Sequence, residues 1–235
     1  MTRPAKERDL ITKAKYWMVA EHGAWRVAAI PVLQDNFVYV VSHGRDAVVV
    51  DAGASAPVLA YIRETGLVLR DVLLTHQHRD HTAGVADLQA LIEPMATSGP
   101  IAFEVLSLPG HTAGDVGYYF AAAGVVCTGD CLINGACGRV LGGSMQDLFQ
   151  SLQRIKALPG ETRILGGHDY LKDNLRFALQ HQSDNPAIHA RRERYASDPA
   201  GALFATLDEE WATNPFLQAT DLDSFTRLRE AKDCF

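Results

Sequence analysis

The chain has 235 residues, of which 47% are hydrophobic and 21% are charged, and its formal net charge is −6. This composition is typical of one large globular domain, or of one domain with a small appendage. The acidic balance argues against a nucleic-acid-binding surface, which would be basic, so an anionic substrate would need a local cationic patch. No stretch approaches the roughly 18 apolar residues of a membrane span, and we expect no membrane partner.

The cysteines and the first residues of the chain bear on the cellular compartment in which we expect the protein. Cys127, Cys131, Cys137 and Cys234 show no Cys-x-x-Cys spacing, and no apolar stretch typical of a secretory signal follows the charged first residues. We therefore expect reduced thiols in a cytoplasmic protein.

Hydrophobic patterns predict an order of strands and helices along the chain. Residues 1–24 have a mixed, helix-like pattern around Leu10, Ile11 and Trp17, and we assign them to an N-terminal extension. Beyond it, strands are predicted at 26–30, 37–41, 47–50, 72–74, 101–106, 116–120, 124–128 and 162–165, with helices at 56–65, 82–92 and 145–158.

The pattern changes near residue 170, where the strands stop. Helices are predicted at 172–182, 185–196 and 221–232, and a loop containing Asn214-Pro215 precedes the last one. We therefore predict a catalytic domain over 25–170 and a helical appendage over 171–235.

Metal-binding residue types follow several of the predicted strands. They are His76, His78, Asp80, His81, His111, Asp130 and His168. Strand ends of a layered α/β domain can converge on one edge, where ligands usually bind. Five imidazoles and two carboxylates are too many for one tetrahedral ion. They suit two ions that share a bridging carboxylate and leave a position open for water.

A centre of this kind can hydrolyse a substrate without a serine nucleophile, so the ligand set predicts a metal-dependent hydrolase. Two divalent ions lower the pKa of a shared water toward about 7, and the resulting hydroxide attacks a carbonyl. A thioester suits this chemistry because a thiolate, with a conjugate pKa near about 8.5, leaves without strong acid assistance.

In order and combination, the string His-x-His-x-Asp-His at 76–81 and the pairs at 110–111, 129–130 and 167–168 resemble the metallo-β-lactamase superfamily. The resemblance implies an α/β fold, a four-layer αββα sandwich. It also implies a ligand set for each metal ion: His76, His78 and His111 for one, and Asp80, His81 and His168 for the other, with Asp130 as the bridge. Asp80 and Asp130 are then the catalytic carboxylates beside a metal-bridging hydroxide, and Asp51 orients a ligand imidazole.

Further segments resemble the glyoxalase II branch, the hydroxyacylglutathione hydrolases. They lie at 33–37, 137–139, 167–170, 174–175, 206–210, 214–217 and 232–235. The resemblance implies hydrolysis of a small-molecule thioester, S-D-lactoylglutathione or a related acyl-glutathione, in methylglyoxal detoxification. It implies substrate contacts by Arg139, Tyr170 and Asn174, and two divalent ions, with zinc as first candidate and iron or manganese as alternatives.

Two positions depart from the family pattern. Gln218 stands where the family has an arginine that holds a glutathione carboxylate, and Leu141 stands near where it has a second tyrosine. An amide cannot replace a bidentate guanidinium, so the glutathione-binding segment is altered. Either Arg139 acts with another cation (Arg227, Arg229 or Lys232), or the substrate is a different, non-glutathione thioester.

Three other functions compete with thioester hydrolysis. A non-haem iron persulfide dioxygenase of the same fold uses one metal ion held by two histidines and an aspartate, which would leave several ligands unused. A nuclease of the superfamily is disfavoured by the acidic balance, and a non-enzymatic metal-binding protein would require the loss of a ligand. The sequence leaves open whether the protein is a monomer or a dimer.

Overall fold

The computed structural model describes residues 15–93 and 101–235. Its strands are β1 Trp17–His22, β2 Trp25–Val32, β3 Asn36–His43, β4 Asp46–Val50, β5 Val68–Leu73, β6 Glu104–Ser107, β7 Val116–Phe120, β8 Val125–Gly129, β9 Leu132–Ile133, β10 Ala136–Cys137 and β11 Arg163–Gly166. Its helices are α1 Ala56–Thr65, α2 Arg79–Thr82, α3 Val85–Gln89, α4 Met145–Lys156, α5 Leu171–His181, α6 Pro186–Ser197, α7 Pro199–Leu203, α8 Leu207–Thr213, α9 Pro215–Gln218 and α10 Leu222–Asp233. Within these described ranges, every helix is too short or too polar to cross a membrane.

The strands form two main sheets. The first has the order β1-β2-β3-β4-β5 and the second β11-β8-β7-β6, while β9 and β10 form a separate hairpin. Each main sheet contains one parallel pair, β4 with β5 and β8 with β11, and the other ladders are antiparallel.

The inner strands β3, β4 and β8 are buried on both faces, which explains their unbroken apolar runs, whereas the edge strands β1 and β6 are partly exposed. In β3, Phe37 and Tyr39 pack between the sheets in the cluster that includes Phe120 of β7. Val38 and Val40, which alternate with them, pack with α1 on the outer face. The layers therefore run helix, sheet, sheet, helix, and the predicted four-layer α/β sandwich is confirmed.

The second sheet repeats this alternation. Val125 and Cys127 of β8 belong to the core between the sheets, whereas Val126 packs outward with Leu148 and Leu152 of α4. The same outer cluster includes Phe216 and Phe225 of the C-terminal helices. The helical appendage is therefore continuous with the outer helical layer of this sheet.

Strand ends and one link between the sheets position the functional residues. The ends of β4 and β5 lead into Asp51 and into the 76–81 string, and the ends of β8 and β11 lead into Asp130 and His168. The amide of Phe37 donates to the Gly167 carbonyl oxygen at 2.9 Å, which joins the first sheet to the second beside these residues.

The predicted helix-like extension is wrong over Trp17–His22, which forms the edge strand β1 paired antiparallel with β2. Trp17, Val19 and Ala20 are partly buried against the core, and β2 supplies the hydrogen bonds that stabilise the strand. Leu10 and Ile11 lie outside the described residues.

The helix predicted over 82–92 is also wrong in its bounds, because the structure has only α3 Val85–Gln89 there, after α2 has ended at Thr82. Gly84 separates the two helices: it packs directly on the backbone of Ser55, where a Cβ would clash, and its amide donates to the Ala52 carbonyl oxygen at 2.7 Å. The loop predicted before the last helix contains α7, α8 and α9. Helices this short leave little periodicity to detect, although Asp198, Thr206 and Asn214 accept N-cap hydrogen bonds at their starts.

Candidate metal centre and adjoining cavity

Three predicted ligands, two that follow the last strand of the first sheet and one from a loop of the second, point their ring nitrogens at one another. His78 Nδ1 lies 3.1 Å from His76 Nε2 and 3.0 Å from His111 Nε2. His76 lies three residues after the end of β5, His78 directly precedes α2, and His111 lies in the loop between β6 and β7. Three nitrogens this close, contributed by separate imidazoles, form a donor group for one metal ion.

A second donor group contains Asp80, His81 and His168. His168 Nε2 lies 3.4 Å from both Asp80 Oδ2 and His81 Nε2, and the last two atoms are 3.7 Å apart. The short helix α2 presents Asp80 and His81, while His168 follows β11. The structure thus brings all three together although the third is 87 residues from the second.

Asp130 lies between the two groups. Its Oδ2 is 3.6 Å from His111 Nε2 and 3.3 Å from His168 Nε2, so one carboxylate faces both sets of nitrogens. Its Oδ1 is buried and has no hydrogen-bond partner among the described residues. A buried, unsatisfied carboxylate oxygen is costly unless a cation compensates it, so Asp130 fits a carboxylate that bridges two metal ions.

The outer nitrogens of two ligands face carboxylates. Asp51 Oδ2 accepts from His81 Nδ1 at 2.8 Å, and Asp35 Oδ1 accepts from His168 Nδ1 at 3.0 Å. In the neutral imidazole, a carboxylate partner holds the proton on Nδ1 and leaves the Nε2 lone pair directed at the centre, the arrangement that metal-binding histidines require. Asp51 is therefore in contact with a predicted ligand imidazole, and its orienting role stays a prediction.

The outer nitrogens of His111 and His76 face neutral acceptors. His111 Nδ1 donates to the Arg139 carbonyl oxygen at 2.7 Å. The Thr75 hydroxyl donates to Asp51 at 2.9 Å, so its oxygen can accept from His76 Nδ1 at 3.0 Å. These contacts fix the same tautomer in both imidazoles.

The electrostatics of the cluster reflect its burial. Burial lowers the pKa of His76 to about 4, which keeps that imidazole neutral at physiological pH. Burial also acts against a charge on His168, but the Asp130 and Asp35 carboxylates outweigh it and raise the pKa of His168 to about 10. Burial opposes ionisation of Asp130 as well, yet the nearby His168 holds the pKa of that carboxyl well below its usual range. The buried anion of Asp130 thus already attracts positive charge, as a cation-binding site does.

A cavity of about 660 Å³ adjoins this cluster. His111 and Asp130 belong to its wall, and so do four cationic side chains: Arg139, Arg176, Arg229 and Lys232. Arg176 was not predicted from the sequence. Three carboxylates line the cavity too (Asp35, Asp130 and Asp173), so cationic side chains are in slight excess on this wall although the whole chain is acidic.

The three predicted substrate contacts all line this cavity. The Arg139 side chain is 59% exposed, and its Nε lies 3.3 Å from Asp233 Oδ1. The Tyr170 ring stacks on the imidazole of His168, with ring centroids 4.8 Å apart and an interplanar angle of 11°. Asn174 is buried, and its amide nitrogen donates to the Asn134 carbonyl oxygen at 2.9 Å.

The two departures from the family pattern lie in different places. Leu141 lines the cavity and is exposed, whereas Gln218 does not line it. The Gln218 amide nitrogen donates to the Trp211 carbonyl oxygen at 2.7 Å, and its oxygen accepts from Gln182. Gln218 therefore connects helices of the appendage.

Sequence reasoning missed two residues that contact the ligands, Asp35 and Asn36. Asn36 Nδ2 donates to Asp80 Oδ2 at 2.9 Å and lies 3.4 Å from His168 Nε2. The sequence pattern predicts a turn between strands for both residues, and only the resemblance of segment 33–37 to the glyoxalase II branch indicates a further role.

Comparison with known proteins matches the same fold and also one family within the superfamily. Residues 32–94 and 97–168 match the family model described as metallo-beta-lactamase superfamily, and residues 169–235 match that described as hydroxyacylglutathione hydrolase C-terminus. The hydroxyacylglutathione hydrolase of Actinobacillus pleuropneumoniae serotype 5b is 36% identical, across 89% of this chain and 99% of that protein. That of Acidiphilium cryptum is also 36% identical, across 93% and 100%.

Solved structures share the fold at lower identity. ETHE1 from Myxococcus xanthus superposes with a TM-score of 0.60 at 24% identity, covering 83% of this chain and 85% of that one. The BLEG-1 B3 metallo-beta-lactamase superposes with a TM-score of 0.58 at 22% identity, covering 87% and 100%. TTHA1623, solved in a di-iron-bound form, is 29% identical with a TM-score of 0.51, covering 65% and 91%.

The fold and the donor set define a member of the metallo-β-lactamase superfamily with a centre for two divalent metal ions. Within that superfamily, the chain belongs to the hydroxyacylglutathione hydrolase family, glyoxalase II.

Proposed function

We propose that the protein hydrolyses the thioester bond of an acyl-glutathione and that S-D-lactoylglutathione is its substrate. The observation that carries the proposal is that one cavity is lined both by members of the donor cluster and by four cationic side chains. Glutathione is a small peptide with two carboxylates, and cationic side chains bind carboxylates by charge-assisted hydrogen bonds. Relatives that are 34–38% identical over most of the chain bear the name hydroxyacylglutathione hydrolase.

The proposed ligands follow the two donor groups. His76, His78 and His111 hold one ion, and a second group (Asp80, His81 and His168) holds the other, with Asp130 shared between them. Zinc is the proposed metal, and iron or manganese are alternatives that this mixture of nitrogen and oxygen ligands also accepts. When bound, such ions lower the pKa of coordinated water toward about 7 and polarise a carbonyl group.

The chain's own residues prepare the centre for this chemistry. Burial acts against the charge on Asp80, but the hydrogen bond from Asn36 and the nearby His81 lower its pKa, so it remains a carboxylate. Tyr170 covers one face of His168 and shields that ligand from water. The glutathione thiolate leaves with a conjugate pKa near about 8.5, so no residue has to protonate it.

Substrate recognition is assigned to the cationic part of the cavity. Arg139 and Lys232 bind the glutathione carboxylates, and Tyr170 and Asn174 form the wall beside them. Arg229 is buried and donates to the Cys137 carbonyl oxygen at 2.6 Å, so part of its hydrogen-bonding capacity serves the fold. The proposal places this activity in the cytoplasm, where the four cysteines, all free, would stay reduced.

The test compares two thioesters of the same acyl group. We expect kcat/KM of the metal-loaded protein for S-D-lactoylglutathione to exceed that for D-lactate esterified to a short thiol without carboxylates. Equal values would retain the hydrolase and exclude glutathione as its specific thiol. Absence of turnover of both thioesters, with two metal ions bound per chain, would refute thioester hydrolysis.

A further inference from the structure

Helices of the appendage hold the backbone of five consecutive residues, 134–138, which we call the wall segment. The Asn174 amide donates to the Asn134 carbonyl oxygen at 2.9 Å. The next residue, Gly135, donates its amide to both carboxylate oxygens of Glu210, at 3.1 and 2.9 Å.

The remaining three residues of the wall segment are held in the same way. Asn214 Nδ2 donates to the Ala136 carbonyl oxygen at 3.3 Å. Arg229 Nη1 donates to the carbonyl oxygens of Cys137, at 2.6 Å, and Gly138, at 3.4 Å. Side chains from α5, α8 and α10, with the residue that links α8 to α9, therefore fix one backbone polar group of every residue in the segment.

The wall segment lies between the appendage helices that hold it and the predicted metal centre. Cys137 and Gly138 line the cavity, and Ile133, which lines it too, directly precedes the segment. Gly138 packs so closely on the carbonyl group of Asp130 that a Cβ would clash with it. A shift of the segment would therefore change the cavity next to a metal ligand.

Among the residues that hold the wall segment, Glu210 contributes a buried carboxylate. Its side chain is fully buried and pairs with the equally buried Arg191 at 2.5 Å. Arg191 is in turn bound to the Thr213 hydroxyl at 2.7 Å, and Asn214 donates to Glu210 Oε2 at 3.1 Å. Buried ion pairs contribute little net stability compared with apolar residues of similar volume, so stability alone does not account for this one.

We propose that Glu210 is a positioning residue: its carboxylate, paired with Arg191, anchors Gly135 and so holds the wall segment in the shape that the substrate needs. The kinetic part of this inference rests on the proposed function, whereas the structural part does not. Neither the metal ligands nor the cationic residues of the cavity contact Glu210 through any hydrogen bond or ion pair found in the described residues.

The first readout is the reactivity of the Cys137 thiol, which is buried in the wall segment. In Glu210→Gln, one oxygen remains to accept from Gly135, and the amide group faces donors from Arg191 and Asn214. We expect local opening to make Cys137 react with a thiol reagent about tenfold faster, measured site by site by mass spectrometry. Cys127, buried in β8, reports global unfolding and should react at its original rate.

The matched control is Glu209→Gln. Glu209 is the neighbouring residue on α8, and its side chain pairs with Arg194 rather than with the wall segment. We expect this variant to leave both the Cys137 rate and KM unchanged. A double variant, Arg191→Met with Glu210→Met, removes the ion pair without leaving an unpaired buried charge, and we expect it to keep the melting temperature of the unmodified protein.

The double variant separates positioning from stability. We expect it to retain the fast Cys137 reaction and to show KM for S-D-lactoylglutathione raised about tenfold, with kcat within about threefold, because methionine at position 210 leaves Gly135 without its acceptor. A stable double variant in which Cys137 is as protected as in the unmodified protein would overturn the proposal. If the unmodified protein does not hydrolyse the thioester, the proposed function fails, and the Cys137 rates still decide the role of Glu210.

Discussion

The substitution Asp51→Asn tests whether the residues behind the ligands control metal binding. Asp51 accepts from the Thr75 amide at 2.8 Å and from His81 Nδ1 at 2.8 Å. It has a left-handed backbone conformation, with φ of 60°, which asparagine tolerates well. The substitution therefore preserves shape and backbone, and changes one acceptor oxygen into a donor.

The consequence follows from the hydrogen bonds. If the asparagine oxygen keeps the Thr75 amide, its NH₂ group faces His81 Nδ1, which loses its acceptor. The imidazole then favours the tautomer with the proton on Nε2, the nitrogen that faces Asp80 and His168. Loss of such an outer partner lowers metal affinity about 10- to 100-fold, or about 1.4–2.7 kcal/mol.

The assay is a titration of metal-free protein with zinc in competition with a chromophoric chelator. We expect Asp51→Asn to weaken the binding of one of two zinc ions and to leave the other nearly unchanged. Asp71→Asn, at an exposed carboxylate of β5, is the matched control and should bind as the unmodified protein does. Unchanged affinity for both ions in Asp51→Asn would refute the role given to the Asp51–His81 contact.

Three further predictions concern the cavity. Arg139→Ala and Lys232→Ala should each raise KM for S-D-lactoylglutathione about tenfold and leave the short-thiol ester unaffected, whereas Arg227→Ala, exposed on the same helix as Lys232 and outside the cavity, should change neither. Gln218→Ala should leave KM for S-D-lactoylglutathione within about threefold, because the Gln218 side chain forms its hydrogen bonds inside the appendage and not with the cavity. A large increase in KM would contradict this and would indicate that Gln218 contacts the substrate. Tyr170→Phe should retain metal affinity and Tyr170→Ala should lower it, measured by the same zinc competition, because only phenylalanine keeps the ring stacked on the neighbouring imidazole; equal affinities in both variants would contradict that role.

Much of the candidate metal centre could be predicted because its information is local. Each candidate ligand lies in a short motif directly after an apolar strand or in the turn before the next one, as His168 does after β11 and Asp130 after β8. Burying such residues unpaired is costly, so their position after core strands already indicated a ligand. The structure brings these predicted residues together, and their assignment to individual metal ions stays a prediction.

The contacts behind the ligands could not be predicted in the same way. Asp35 meets His168 across 133 residues of sequence, and Asn36 meets Asp80 across 44. An Asp-Asn pair between two strands is typical of an ordinary turn, so composition gives no signal for the second role. The Asp35–His168 contact forms only where the two sheets meet, and the Asn36–Asp80 contact only where the start of β3 meets the helix that follows β5.

The same limit applies to the appendage. The pattern predicted the long helices near the observed bounds, but α7, α8 and α9 are too short for periodicity to separate them from a loop. Glu210 and Asn214 stood out only as parts of motifs. Their partners, Gly135 and Ala136, are 75 and 78 residues away in sequence, so what these motifs hold became visible only in the structure.

The central claim is that a two-metal centre beside a cationic cavity hydrolyses a glutathione thioester. The most direct measurement is the rate of S-D-lactoylglutathione hydrolysis while metal-free protein is titrated with zinc, with bound zinc measured in parallel. We expect activity to follow the form that holds two ions per chain, with little turnover at one. Full activity at a single ion per chain, or none with both sites filled, would contradict the account.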